Sequence, residues 1–485
     1  MGFREIVQFV REREEARRRP AELLLLKFKQ VLMLYTLKLI LAFFPVASKE
    51  NIIKLITWYA ILFSGKPPSQ VKALPEFLAT SSFGDIAFRL SRLTSRKALD
   101  RLAISFLMDG LIMREEKRLR EELQGGAVPY SLLISPTARC NLRCQGCYAA
   151  NYAVKDELPF PLVDRLVTEA EELGVAVVTL LGGEPFLWGP LLDLMGLHPH
   201  MYFLVFTNAT LITPDLVNRL KRLGNVMLTL SVEGFEKETD ARRGPGTFAK
   251  VMAAMDLLRQ AKIPFGYSVT ATRTNEPVIA SETFADFMIA RGALMGWMFL
   301  CMPVSRNPDL ELLPTPEQRV HMLNFVNLVR QTRPIVMIDF WNDAPYVGGC
   351  IAGKYYAHIN PQGCVEPCIF THFCQDNIKD KSLKEAMNSE FFRELRRRQP
   401  YNDNLYLPCM WIDNPEVSRE IYERLPITPC HPGADDILRR EDLRQGVDAY
   451  CARVREAYRP IWEQEKYEME NFYKIKDTVL RLFAA

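Results

Sequence analysis

Apolar and polar residues alternate in blocks from residue 130 onward, and these blocks predict strands and helices in turn. Seven apolar stretches predict strands at 130–135, 175–182, 201–207, 226–232, 265–271, 297–304 and 334–341. Amphipathic stretches between them predict helices at 160–173, 213–223, 247–262, 279–292 and 315–332. Serial βα units predict an α/β fold with one parallel sheet covered by helices, either open or partly closed as a barrel. The reactive residues of such folds lie where the strands end, at the carboxyl edge of the sheet.

Two apolar segments, 21–45 and 51–65, precede this region and predict helices within a helical region that spans 1–128. Neither segment reaches the roughly 18–20 uncharged residues that a bilayer span requires. Lysines interrupt the first segment, and Trp58 and Tyr59 lie in the second, which is typical of helices lying in a membrane surface. Two helices buried against the main domain would show the same periodicity. We expect peripheral or monotopic membrane association, with the barrel opening facing the lipid.

The bulk composition narrows the class of protein further. The 485 residues include 61 Lys+Arg and 58 Asp+Glu, and the net charge of +3 is too small to indicate nucleic-acid binding. The 11 cysteines are an odd number, and no signal-peptide pattern opens the chain, so we do not expect a framework of extracellular disulfides. A reducing cytoplasm, in which thiols are kept for metal, is the expected location.

Three cysteines follow the first predicted strand within eight positions: Cys140, Cys144 and Cys147. A metal site with three protein ligands leaves one coordination position open, which is where chemistry takes place. The stretches "GGEP" (182–185), "TNAT" (207–210) and "SVEG" (231–234) end the next three strands. Since the carboxyl ends of parallel strands meet at one edge, we expect all four stretches to converge there.

The CxxxCxxC spacing, followed by Gly182-Gly183-Glu184, resembles the radical S-adenosylmethionine (SAM) superfamily. The resemblance implies a partial (β/α)6 barrel of the TIM type over 129–342. It also implies a [4Fe–4S] cluster on the three thiolates, with SAM chelating the fourth iron. In that family a reductant such as ferredoxin or flavodoxin supplies an electron to the cluster, and this electron cleaves SAM to methionine and a 5′-deoxyadenosyl radical. We expect the radical to remove hydrogen from an unactivated C–H bond. Here Gly146 replaces the aromatic residue that usually precedes the third cysteine, and Tyr148 follows it.

The resemblance also suggests which residues contact SAM. Gly183 and Glu184 would meet its amino group, and an arginine of "ARRGPG" (241–246) would hold its carboxylate through a guanidinium fork. Strand-end polar residues are also often simple caps, and loop arginines are often solvated. The full set of candidate SAM contacts is Gly182, Gly183, Glu184, Asn208, Ser231, Arg242, Arg243 and Tyr148.

A second cysteine group lies in 343–434, and a charged tail that we expect to be helical follows over 435–485. Cys350 and Cys368 with Gly363 fit the pattern Cx9–15Gx4C, which resembles the start of the SPASM/twitch extensions that hold auxiliary Fe–S clusters. The CxxCx5CxxxC run of a full SPASM domain is absent, so one complete cluster is expected. The expected ligands are Cys350, Cys368 and Cys409, with Cys374 or Cys430 in the fourth place and His372 as a non-thiol option. Spacing alone does not separate iron–sulfur from zinc at these residues.

Three functions remain open from the sequence. The apolar N-terminal region favours a lipid or hydrocarbon chain as the substrate of the radical. The SPASM resemblance favours a maturase that acts on a peptide or protein. A non-catalytic iron–sulfur electron carrier is the alternative of another class, and the intact CxxxCxxC and GGE motifs disfavour it.

Overall fold

The computed structural model describes residues 20–63, 73–124, 126–304 and 308–484, with side chains except at 20–31, 73, 116, 123 and 471–484. Residues 1–19 of the region predicted over 1–128 therefore lie outside the described residues. The same holds for the end of the apolar segment 51–65 and for the side chains that begin the segment 21–45.

In the described part of the chain, nine strands form one sheet in the order β7-β6-β5-β4-β3-β2-β1-β8-β9. All neighbours are parallel except β8 and β9. The strands are β1 Ser131–Ile134, β2 Val177–Leu180, β3 Tyr202–Thr207, β4 Val226–Ser231, β5 Phe265–Ala271, β6 Met295–Leu300, β7 Val336–Asp339, β8 Tyr356–Ile359 and β9 Val365–Glu366. The first seven confirm the predicted strands, because parallel strands covered on both faces are nearly continuous apolar runs. The α/β class with a partial barrel is confirmed.

The helices of this region cover the sheet with apolar faces. In Phe160–Leu173, Val163, Leu166, Val167 and Ala170 are fully buried at helical spacing, and Gly174 ends the helix in the left-handed conformation. The helices that follow are Leu191–Leu197, Pro214–Leu223, Glu236–Arg243, Thr247–Ala261, Glu276–Ile279, Glu282–Arg291, Pro316–Thr332 and Ala344–Val347.

The N-terminal helices cover the amino ends of the strands. They are Pro20–Phe43, Lys49–Phe63, Ala73–Thr80, Ser82–Leu93, Arg96–Arg101, the π-helix Leu102–Met113 and Glu115–Leu123. Leu90, Leu93 and Phe106 pack against Tyr202 and Met227, which begin or lie near the start of β3 and β4. The described helices do not support the prediction that this region turns the barrel opening towards lipid, because the cysteine loop after β1 lies at the opposite, carboxyl edge.

The helix Pro20–Phe43 has one buried and one exposed apolar face over its described side chains. Ile40, Leu41 and Phe44 pack with Ile52 and Leu99 in a small core. The other face leaves large side chains in solvent at helical spacing, with Tyr35 and Leu39 each 65% exposed: Leu32, Tyr35, Leu39, Phe43 and, just beyond the helix, Val46. Among the described residues, every helix is too short or too polar to cross a bilayer.

The C-terminal part of the chain packs on the barrel and shares its sheet. Short helices Leu383–Met387, Glu390–Arg398, Pro415–Arg424 and Asp436–Arg439 and the antiparallel pair β10 Phe373–Cys374 and β11 Thr428–Pro429 lead to the long helix Glu441–Ala484. Arg319 of the barrel donates to Asp413 at 2.7 Å, and both side chains are fully buried. Cys451 donates to the Asp413 carbonyl.

Candidate functional site

The cysteine loop leaves the end of β1 and crosses the carboxyl edge of the sheet, which we call the mouth. Cys140 is exposed, whereas Cys144 and Cys147 are partly buried. The three thiols lie close enough to influence each other's ionisation. Although Cys140 is exposed as a whole residue, the protein around its sulfur keeps water away and raises the pKa of the thiol to about 11, so metal binding must displace its proton. The Leu142 backbone N–H donates to the Cys140 sulfur at 3.4 Å, a contact that favours a thiolate. The loop therefore fits a cluster held by three thiolates.

Gly182 and Gly183 let the end of β2 touch this loop. Gly182 has φ +118°, and a Cβ on Gly183 would lie 2.1 Å from the Arg139 carbonyl oxygen, which no side chain can tolerate. The Gly183 N–H donates to the Thr137 carbonyl at 3.0 Å, and the Glu184 N–H donates to the Arg139 carbonyl at 2.7 Å. The two glycines thus fix the segment that leads into Cys140. Their contact with SAM stays a prediction.

Glu184 is fully buried beneath the mouth, and its carboxylate accepts hydrogen bonds from other groups of the protein. One oxygen accepts from the Thr207 hydroxyl at 2.7 Å and the Phe186 N–H at 3.2 Å, and the other accepts from the Asn208 N–H at 2.8 Å. Burial raises the pKa of Glu184, and these hydrogen bonds oppose the rise. The sequence predicted an acceptor for the SAM amino group; the structure adds a bracing role that joins the ends of β2 and β3.

Asn208 and Ser231 lie where predicted, at the ends of β3 and β4. The Asn208 amide donates to Asn141 at 2.8 Å and lies 3.8 Å from the Cys140 sulfur, so it touches the cysteine loop directly. The Ser231 hydroxyl accepts from Ser268 at 3.4 Å. Asn208 is thus placed at the proposed cluster, whereas the described contact of Ser231 is with the neighbouring strand.

Arg242 and Arg243 both form ion pairs with Glu233, a residue that the sequence pattern does not single out. The buried carboxylate accepts from Arg242 at 2.6 Å, from Arg243 at 2.7 Å and from the Thr270 N–H at 3.0 Å. Burial opposes the charge of Arg242, but Glu233 outweighs it and holds the pKa of Arg242 above its ordinary value. The paired arginines after "SVEG" were the available signal, since two largely buried cations in the last turn of one helix need a counter-charge.

Arg242 also connects this ion pair to the cysteine loop. Its carbonyl accepts from the Gln145 N–H at 3.0 Å, and its charge interacts with Cys144 and Cys147. In the described part of the chain, its Nε is buried without a hydrogen-bond partner. A cationic donor beside the thiols suits an anionic ligand group, as predicted for the SAM carboxylate.

Cys301 and Tyr148 complete the surroundings of the loop. Cys301, at the end of β6, is 2% exposed and points inward, its sulfur 3.2 Å from where a Cβ on Gly146 would stand. Gly146 has φ +66°, so the usual aromatic residue would meet both strain and Cys301 here. The Tyr148 ring packs edge-on against Phe370 at 5.7 Å, which places it between the loop and the second cysteine region.

A cavity of about 640 Å3 opens beside the cysteine loop. One wall is formed by Cys144 to Cys147, and the facing wall by residues after β6 and by the start of the long C-terminal helix. Its described lining includes three carboxylates, two of them with arginine partners, and no basic side chain. The acidic and leucine residues of this wall are Asp309, Leu310, Glu311, Leu312, Asp442 and Leu443.

Cys350 lies close enough to Cys368 and Cys409 to influence their ionisation, and the role of these three cysteines, the second thiol group, as one ligand group stays a prediction. The N–H groups of Phe370 and Trp411 donate to the Cys368 and Cys409 sulfurs at 3.4 Å each. The Tyr356 hydroxyl donates to Cys368 at 2.7 Å. Donors aimed at buried sulfurs fit the thiolates of an iron–sulfur cluster.

The predicted fourth ligand of this group is not where the sequence placed it. Cys374 and Cys430 lie with Cys364, and the three sulfurs are within 4.8 Å of one another. His372 has both ring nitrogens engaged, with His431 at 2.7 Å and the Ile369 carbonyl at 2.9 Å. Sequence spacing could not reveal this division, because neighbouring cysteines point in different directions.

Comparison with known proteins agrees with this geometry. Residues 134–285 match the model of the radical SAM superfamily, and 350–410 match SPASM, an iron–sulfur cluster-binding domain. An AdoMet-dependent heme synthase of Methanosarcina barkeri is 26% identical over 292 residues, covering 54% of this chain and 82% of the relative. A PqqA peptide cyclase of Gluconobacter oxydans is 27% identical over 320 residues, covering 61% and 84%. The crystal structure of Streptococcus suis SuiB bound to S-adenosylmethionine shares the fold, with a TM-score of 0.50, 16% identity and coverage of 72% of this chain and 83% of that one.

Proposed function

The chain is a radical SAM enzyme with a C-terminal SPASM domain, and we propose that it abstracts hydrogen from a peptide or protein substrate bound in the cavity beside the cysteine loop. Its cofactors are a [4Fe–4S] cluster that works with SAM and at least one auxiliary Fe–S centre. The reduced [4Fe–4S] cluster would supply the electron that cleaves SAM, and the radical released from SAM would remove a hydrogen atom from an unactivated C–H bond. We assign the first cluster to Cys140, Cys144 and Cys147.

The composition of the cavity is the observation that carries the proposal. Its facing wall combines three carboxylates with leucines, and a volume of about 640 Å3 accommodates a short stretch of peptide. With Glu311 and Asp442 paired to arginines, the wall keeps a weak negative charge, which suits a neutral or basic segment better than a substrate with several carboxylates. A relative named for a peptide, the PqqA peptide cyclase, is compatible with this choice, and so the cavity rather than the relatives separates it from the chemistry for which the heme synthase is named.

Photo-crosslinking tests the substrate class. Asp309 is an exposed residue of the cavity wall, so a photoreactive benzoyl-phenylalanine at this position should capture the bound molecule in cells. Leu197, which is 60% exposed and lies at the far end of the barrel, serves as the control position. Mass spectrometry should find peptides sharing one sequence at position 309 and not at 197. Capture of a tetrapyrrole or a lipid at 309 would overturn the peptide proposal.

The assignment of the first cluster is tested by Cys140→Ala. Because each thiolate holds a different iron, this variant should release no 5′-deoxyadenosine during anaerobic incubation with reductant and SAM, while the auxiliary iron stays bound. The same incubation of the wild type excludes a non-catalytic carrier if it yields 5′-deoxyadenosine.

Membrane attachment is a second proposal, favoured by the exposed apolar row of the helix Pro20–Phe43. Tyr35, Leu39 and Phe43 project from one face beside Lys38, a pattern suited to an anionic lipid surface. Because these helices cover the amino ends of the strands, such attachment would anchor the enzyme and leave the mouth in water. No relative reported above is named for a lipid substrate. Flotation with anionic vesicles at low salt should carry the wild type and not Leu39→Glu; equal flotation of both would contradict this anchoring.

A further inference from the structure

The sulfurs of Cys364, Cys374 and Cys430 meet because the backbone brings them together. β10 and β11 pair antiparallel with Cys374 opposite Thr428, and the Cys430 N–H donates to the His372 carbonyl at 2.9 Å. Cys374 and Cys430 are therefore diagonal neighbours on the same face of this ribbon. Cys364 pairs with Asn377 through a β-bridge just beyond it. Three chain segments are thus fixed by main-chain hydrogen bonds at the point where the sulfurs converge.

This trio is separate from the second thiol group. Cys368 comes from the segment between Cys364 and Cys374, yet its sulfur meets Tyr356 and the Phe370 N–H. Cys364 instead receives the Asn377 amide at 3.7 Å. The Cx9–15Gx4C cysteines thus belong to the other group, and the trio lies outside that pattern.

The spacing of the sulfurs indicates the kind of ligand. A tetrahedral ion with metal–sulfur bonds of about 2.3 Å places its thiolates roughly 3.8 Å apart, which agrees with three sulfurs within 4.8 Å of one another. A cubane cluster needs wider spacing, because each thiolate binds a different iron. A disulfide would use two of the thiols and leave the third without a role. We propose that Cys364, Cys374 and Cys430 bind one tetrahedral divalent metal ion, for which Zn2+ is the ion best suited to three thiolates.

The fourth position of this ion is left to water or to a donor atom of the substrate. In the described part of the chain, the group of candidate metal ligands contains these three cysteines alone. His431 is hydrogen-bonded to His372 at 2.7 Å and to the Pro432 carbonyl at 3.0 Å, so both histidines next to the trio are already engaged. Three protein ligands and one exchangeable position describe an ion that can take part in binding or chemistry.

The site lies beside the radical SAM loop. Cys374 and Cys430 pack in one cluster with Ala149 and Tyr152, and Cys147 borders it. The Tyr152 hydroxyl donates to Glu366 at 2.9 Å. Glu366 also holds His358 at 2.7 Å, and His358 in turn reaches Ser135, at the end of β1, at 2.7 Å. A series of buried hydrogen bonds therefore connects the surroundings of the ion site to the end of β1, which leads into the first cysteine loop.

Metal analysis of the full chain, purified anaerobically with its clusters, tests the proposal independently of the substrate. The wild type should contain about one equivalent of zinc per chain besides its cluster iron. Cys364→Ala and Cys374→Ala should each lower zinc at least tenfold, with iron and acid-labile sulfide unchanged. Cys350→Ala is the matched control and should lower iron and sulfide while zinc stays bound. Unchanged zinc in both trio variants would overturn the proposal, as would a loss of several irons and sulfides in either one.

Cobalt substitution provides a measurement that does not depend on a variant folding. Wild-type protein grown with Co2+ should show the thiolate charge-transfer and intense visible bands of a tetrahedral cobalt–sulfur site, in an amount equal to the zinc displaced. Alkylation followed by peptide mapping should find Cys364, the least buried of the three, protected until the ion is chelated. Absence of the tetrahedral cobalt spectrum, or ready alkylation of Cys364 in the metal-loaded protein, would refute the site.

Discussion

Replacing Glu184 by glutamine separates a bracing role from direct contact with SAM. The change preserves the size of the side chain but replaces one acceptor oxygen by an NH2 group. In the wild type, two N–H donors and one hydroxyl converge on the two oxygens. The N–H groups of Phe186 and Asn208 can only donate, and each faces a different oxygen of the carboxylate. Whichever way the amide is oriented, its NH2 group faces a donor.

The magnitude follows from this count. At least one buried donor is left unpaired, at a cost of about 1–3 kcal/mol, and the remaining hydrogen bonds lose their charged acceptor. We expect Glu184→Gln to lower the free energy of unfolding by about 2–4 kcal/mol. Affinity for SAM should fall only indirectly, through displacement of Asn208 from the Cys140 sulfur.

Two measurements check this prediction. Urea unfolding of the reduced, metal-free chain, followed by tryptophan fluorescence, gives the stability difference between the variant and the wild type. Equilibrium dialysis of the reconstituted proteins gives their SAM affinities. Glu172→Gln is the control, because Glu172 is exposed and its neutralisation should change stability by less than about 0.5 kcal/mol. If Glu184→Gln has the same free energy of unfolding as the wild type but binds SAM tenfold more weakly, the bracing role is refuted and direct contact with SAM is supported.

Three further substitutions test other contacts. Gly183→Ala should prevent assembly of the first cluster, since its Cβ would stand 2.1 Å from a carbonyl oxygen, whereas Gly189→Ala, with nothing within 4 Å, should retain the cluster absorbance. Glu233→Gln leaves two buried guanidinium groups without their carboxylate and should cost about 3–5 kcal/mol in urea unfolding; a loss below 1 kcal/mol would contradict the pairing. Burial opposes the charge on His198, but hydrogen bonds to two carboxylates outweigh it and raise its pKa above 6.5. The stabilising charge is therefore present below pH 6.5 and lost as the pH rises through the folded pKa. His198→Ala should lower the melting temperature more at pH 6 than at pH 9, and equal losses would count against the charge.

The sequence predicted the seven barrel strands because each is a short apolar run bounded by helices. It missed β8, because the histidine in "YAHI" interrupts the apolar pattern. The structure buries this histidine with hydrogen bonds to Ser135, which is distant in sequence, and to Glu366 on the next strand. The sequence pattern missed Glu233 because it does not show that Arg242 and Arg243 are brought next to this buried carboxylate, which follows β4, by the fold of the chain. It offered Cys374 or Cys430 as the fourth ligand beside Cys368, whereas both lie with Cys364, because spacing along the chain does not show which way a side chain points.

The pairing of β8 with β1 has a consequence for dividing this protein into pieces. β8 pairs along the whole length of β1, from Ser131 opposite Tyr356 to Ile134 opposite Ile359. A fragment ending at 342 would expose the free edge of β1, the strand that leads into the first cysteine loop. Such an edge recruits other chains and aggregates. Expression of the barrel alone should therefore give insoluble material, and the smallest workable unit of the enzyme includes the SPASM region.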